Sequence, residues 1–92
     1  MRITFVSVAD LREYFGREPV NLELPDDATV DSLLQVIAQR WGSQLPAYMW
    51  DSNRCIFRGP VLLLVNQKVV LDHSTALRDG QEVTVMHALA GG

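Results

Sequence analysis

The chain has 92 residues, 48% of them hydrophobic and 21% charged, with 8 Lys+Arg against 11 Asp+Glu. That length predicts one domain that buries roughly 60–65% of the unfolded surface, with a stability of roughly 5–14 kcal/mol. The formal charge of −3 argues against a nucleic-acid partner, and a single cysteine, Cys55, excludes an intrachain disulfide and any multi-cysteine metal site.

The opening MRITFVSVAD lacks the build of a signal peptide, and no stretch approaches the ~20 apolar residues of a membrane span. The expectation is a cytoplasmic protein with no membrane partner. Arg2 to Ala9 is β-branched and apolar on both faces, which predicts a central strand. Asp10 to Gly16 predicts one helical turn or a tight connection stopped by Gly16. Val20, Leu22 and Leu24 alternate with Asn21 and Glu23, a half-buried strand that ends at Pro25 and pairs with the first as a hairpin. Thr29 is placed to cap the main helix, with Asp31 in its first turn. Val30, Leu33, Leu34, Ile37 and Trp41 then fall at helical spacing, and Arg40 and Gly42 supply the closing charge and stop.

Gly42 to Pro60 reads as a long irregular stretch, in which Tyr48, Trp50 and Phe57 are expected as satellites of the core. Val61 to Val65 is an apolar run of strand length, Asn66-Gln67 turns the chain, and Val69 to Leu71 returns it. Arg78-Asp79-Gly80-Gln81 is a turn, and Glu82 to Met86 is the last strand, with Val83 and Val85 inward. The order β-β-α-β-β-β predicts an α+β fold with one main helix across a small mixed sheet.

Side-chain chemistry is sparse. No spacing ties His73 or His87 to Cys55, so this thiol is expected to stand outside any reaction. Two isolated histidines make no metal site, and no phosphate loop, nucleophile elbow or dinucleotide fingerprint is present. What remains is Ala88-Leu89-Ala90-Gly91-Gly92. One reading is a frayed terminus. The other starts from the missing Cβ atoms: a diglycine end is slim enough to thread a narrow channel and present its carboxylate to an active site. The six residues from His87 to Gly92 span at most about 20 Å, which reaches a centre inside a partner.

Five segments resemble a known family. Ser7-Val8-Ala9-Asp10-Leu11-Arg12-Glu13-Tyr14-Phe15-Gly16 is similar to the F-A-x-L-R-E-x-x-G opening of the molybdopterin synthase small subunit, and Ala28 to Leu34 to the start of that family's helix. Val65-Asn66-Gln67 and Leu77-Arg78-Asp79-Gly80-Gln81-Glu82-Val83 are similar to its V-N-x and L-x-D-G-D-E-V elements, and Gly91-Gly92 to its end. In this order they resemble the ThiS/MoaD-like sulfur carriers. Where that family has an aromatic and two prolines before its tail, this chain has Met86-His87-Ala88.

The resemblance implies a β-grasp (ubiquitin-like) fold, with four to five strands on one helix over residues 1–86 and a flexible diglycine tail over residues 87–92. It implies no bound cofactor and no metal. An adenylating enzyme, itself of the ubiquitin-activating kind, would use MgATP to activate the Gly92 carboxylate, and a persulfide donor would supply the sulfur of a thiocarboxylate. That sulfur would pass to the large subunit of a synthase, with molybdopterin favoured by Leu11-Arg12-Glu13. The carrier is then a co-substrate or small subunit that need not catalyse anything itself. Gly91 would give access to the active site, and Val8, Val69, Met86, Leu89 and Ala90 would meet partners. The last strand would lie beside the first, which brings Val8 and Met86 together at the root of the tail. Carriers for thiamine, cysteine, thionucleoside or tungsten-cofactor synthesis share this end. So does a ubiquitin-like modifier joined through Gly92 to lysines, and a plain interaction domain with an incidental diglycine is the third reading.

Overall fold

In a computed structural model that describes residues 1–88, strand β1 (Arg2–Ser7) leads through a 3₁₀ turn at Ala9–Leu11 and one helical turn, α1 (Arg12–Phe15), into β2 (Val20–Glu23). The main helix α2 (Val30–Trp41) follows, then a 3₁₀ turn at Gly42–Gln44 and a two-stranded ribbon, β3 (Trp50–Asp51) with β4 (Ile56–Phe57). β5 (Val61–Val65), β6 (Lys68–Val69) and β7 (Glu82–His87) complete a five-stranded sheet of order β2-β1-β7-β5-β6. β1 and β7 run parallel at its centre, and the other neighbours are antiparallel. This is the β-grasp architecture expected from the sequence, α+β with a mixed sheet.

The alternation of the strands decides which face is covered. Ile3, Phe5, Leu22, Leu63, Val83 and Val85 are buried against α2, whose Val30, Leu33, Leu34 and Ile37 are buried in turn. Phe5 stacks on Trp41 with ring centroids 5.3 Å apart, and Phe15 meets both rings edge-on. Helix α2 starts as the sequence predicts. The Thr29 Oγ1 accepts from the Ser32 N–H and the Ser32 Oγ from the Thr29 N–H, a reciprocal cap.

Several boundaries differ from the sequence reading. β1 stops at Ser7 because Ala9 turns left-handed, with φ 57°. β6 ends at Val69 rather than Leu71, and β7 runs on through His87. Gly42 is no left-handed stop: at φ −52° it carries the chain on into the 3₁₀ turn, with the Trp50 Nε1 3.6 Å from where a Cβ would stand. The stretch from Gly42 to Pro60 is not irregular throughout, since it holds the β3–β4 ribbon. Trp50 is buried there and packs edge-on against Phe57 at 4.9 Å, while Tyr48 is exposed. The Asn66-Gln67 turn is a two-residue hairpin loop with both φ angles positive, 48° and 71°, matching the twist of its strands.

Asp51 ties the ribbon together. Its Oδ1 accepts from the backbone N–H groups of Asn53 and Arg54, and its Oδ2 pairs with Arg58 at 2.9 Å. The Arg54 N–H first, and the Arg58 guanidinium next, hold this carboxyl below the usual carboxylate range. The folded state therefore favours the charged form. Its contribution is present above the ordinary carboxylate value of about 3.9 and is lost as pH falls through the depressed one. Amide exchange at Asn53 and Arg54 is expected to quicken in that acid window in the wild type, while Asp51→Asn shows no such step. A step of equal size in both proteins would refute this assignment.

Candidate functional site

The parallel pairing of β1 with β7 sets the geometry at the root of the tail. Thr4 to Ser7 register with Glu82 to Val85, and the Val8 N–H donates to the Val85 carbonyl at 3.2 Å. On its other edge β7 pairs with β5, so that Leu62 faces Met86 and Val61 faces His87. The Ala88 N–H donates to the Pro60 carbonyl at 2.6 Å. The last described residues are therefore held from both sides.

On the sheet face turned from α2, Val6, Val8, Leu62, Leu64 and Met86 are half-buried. Val8 and Met86 meet, as the register of a parallel β1–β7 pair requires. They line an open cavity of about 350 Å³ together with Ala9, Asp10 and His87. Val69 shares this face but not this cavity. It stands opposite Leu64 on edge strand β6, is 49% exposed, and borders a separate cavity of about 140 Å³. Leu89, Ala90, Gly91 and Gly92 lie outside the described residues.

Within Leu11-Arg12-Glu13 the roles divide. Leu11 is fully buried in the core, whereas Arg12 and Glu13 are exposed beside Asp10 and Arg17 around an open cavity of about 360 Å³. Cys55 sits in the β3–β4 turn at φ 55°, its Sγ 3.8 Å from the Ser52 carbonyl oxygen. No group of three His, Cys, Asp or Glu side chains placed to hold a metal ion occurs among the described residues. No helix among them is long and apolar enough to cross a membrane.

Sequence reasoning missed the contact at the tail's root. The His87 Nδ1 lies 3.1 Å from the Asp10 Oδ1, joining β7 to the 3₁₀ turn after β1. A carboxylate only accepts, so this partner assigns the ring proton to Nδ1. The other ring nitrogen, Nε2, is buried and has no hydrogen-bond partner among the described residues. No local pattern signals a contact between residues so far apart in sequence. The sequence marked His87 only as a poor metal ligand. Leu71, expected from the sequence to end a strand, is instead 85% exposed beyond the end of β6.

The comparisons agree with this geometry. The ThiS family matches residues 7–92. None of the curated proteins matches the chain significantly. Among solved structures, SAMP1 from Haloferax volcanii superposes with a TM-score of 0.79 at 21% identity, each chain covered in full. The HVO 2177 protein of the same organism gives 0.75 at 28% identity, over 100% of this chain and 87% of that one. A chain from the complex of subunits 1 and 2 of the molybdopterin-converting factor of Helicobacter pylori gives 0.66 at 14% identity, each again covered in full. The chain belongs to the ThiS family, a group of β-grasp sulfur carriers and ubiquitin-like modifiers.

Proposed function

We propose that the protein is a sulfur carrier whose reactive group is the Gly92 carboxylate. The single observation that carries this reading is a family match that extends through residue 92 and ends on Gly91-Gly92. A free carboxylate is a poor acyl donor. Attack of its oxygen on the α-phosphorus of MgATP, in an adenylating enzyme of the ubiquitin-activating kind, releases pyrophosphate and gives an acyl-adenylate. The terminal sulfur of a persulfide donor displaces AMP, and a second thiol then frees the thiocarboxylate as it forms a disulfide. The carrier holds no cofactor in this scheme, and its side chains serve recognition. Gly91 lets the end enter the enzyme's channel, and Leu89 and Ala90 meet the channel walls. The acceptor is a synthase large subunit making molybdopterin. Leu11-Arg12-Glu13 supports that choice, as does the likeness to a molybdopterin-converting factor solved with its second subunit. The whole cycle is placed in the cytoplasm.

A second reading, a modifier joined to lysines through Gly92, is favoured by the likeness to SAMP1, a small archaeal modifier protein. Lys68, the only lysine, leaves a single side chain for self-chaining. The deciding experiment is the intact mass of the protein produced with its native activating enzyme. Exchange of one oxygen for sulfur supports the carrier, adducts of high mass support the modifier, and an unchanged mass refutes both.

The docking surface in this reading is the sheet face around Val8 and Met86, with Val69 at its edge. Met86 is half-buried at the centre of that face, so Met86→Asp would bury an unpaired charge against a bound partner. Its affinity for the activating enzyme is expected to fall about thirtyfold, roughly 2 kcal/mol, with an unchanged circular dichroism spectrum. Wild-type affinity would remove this face from the mechanism.

A further inference from the structure

No proline occurs between Pro60 and Gly92, so backbone stiffness does not set the direction in which the chain leaves β7. Hydrogen bonds do. Two of them, Val8 N–H to Val85 O and Ala88 N–H to Pro60 O, are made by the backbone, and the third is the side-chain bond between His87 Nδ1 and Asp10 Oδ1. Asp10 reaches that position because Ala9 is held at φ 57°, a conformation that an L-residue keeps only where its surroundings impose it. Among the described residues the buried His87 Nε2 has no hydrogen-bond partner, so the ring's one side-chain bond there is made by Nδ1. What holds the ring there is its packing and the Asp10 bond. The His87 side chain is 21% exposed and that of Asp10 60%, so the bond lies at the surface, with its histidine side the more covered.

We propose that Asp10 and His87 are positioning residues, which together fix the exit of the chain at Ala88 and so narrow the conformations from which an activating enzyme captures Gly91-Gly92. The proposal rests on the carboxylate reading of Gly92 given above. A restraint made before binding lowers the ordering cost of binding without touching the chemical step. It therefore acts on KM and leaves kcat alone.

The test compares Asp10→Ala, His87→Phe and the double variant with the wild type, after confirming that Tm is unchanged. Two readings are taken: exchange of the Ala88 amide by NMR, and ATP–pyrophosphate exchange by the activating enzyme with the carrier varied. Each single variant is expected to speed Ala88 exchange and to raise the KM for carrier about threefold at constant kcat. The double variant is expected to be no worse than either single one, because both remove the same bond. Asp10→Asn, which keeps an acceptor oxygen, retains most of the protection. Wild-type Ala88 exchange in the single variants, additive effects in the double, or faster exchange with an unaltered KM each overturn the proposal. If the wild type itself is not adenylated, the carboxylate reading fails, and the proposed role in capture falls with it. Ala88 exchange then still decides whether the pair holds the exit.

Discussion

A chain lacking Gly92 is expected to lose at least ~100-fold of its rate of adenylation, and with it all detectable thiocarboxylate, while keeping its fold. β7 ends at His87, so the deletion takes nothing from the sheet. It moves the terminal carboxylate back by one residue, about 3.3–3.6 Å along an extended chain. An in-line attack on phosphorus tolerates far less, since a displacement near 1 Å can already cost roughly 100-fold. Gly91→Val keeps the carboxylate at the right distance but adds a β-branched side chain where a narrow channel admits none. It should therefore impair the same step by obstruction. The measurement is ATP–pyrophosphate exchange with the activating enzyme, followed by intact mass after sulfur transfer. Normal thiolation of the truncated chain would falsify the assignment of Gly92.

The largest effect on stability is expected from Phe5→Ala. Phe5 is 1% exposed on central strand β1, with its ring stacked on Trp41 and edge-on to Phe15 at 5.3 Å. Removing the ring forfeits its burial and both aromatic contacts. It also leaves a void that α2 and the sheet cannot close without breaking other contacts. Substitutions of this kind cost about 3–5 kcal/mol, against a total of roughly 5–14 kcal/mol for a domain of this length. For about 90 residues that lowers Tm by about 12 °C or more. Thermal melts followed by circular dichroism read the change. A loss below ~1 kcal/mol would show that Phe15 and Trp41 can repack around the gap, and that this trio is not the centre of the core.

Local chemistry was enough to place the main elements. The spacing of Val30, Leu33, Leu34, Ile37 and Trp41, with Thr29 before them, specifies a capped amphipathic helix, because its apolar stripe and its cap lie within one short window. Asn66-Gln67 between two apolar runs specifies a tight hairpin, and the alternation around Val83 and Val85 tells which face of β7 is buried. Gly91-Gly92, with four motifs in order, pointed to the family before any geometry did. The β3–β4 ribbon escaped notice because its strands have two residues each and are held by Asp51, whose partners a periodicity does not reveal. Gly42 misled for a related reason. A glycine after a helix signals a left-handed stop, but here the chain tightens into a 3₁₀ turn beside Trp50. Strand order, which depends on pairing between distant segments, put β5 between β7 and β6 and thereby separated Val69 from Val8 and Met86. The contact of Asp10 with His87 is of the same kind. It exists because a parallel pairing of β1 with β7 carries the end of one strand to the end of the other, and no local preference of either residue encodes it.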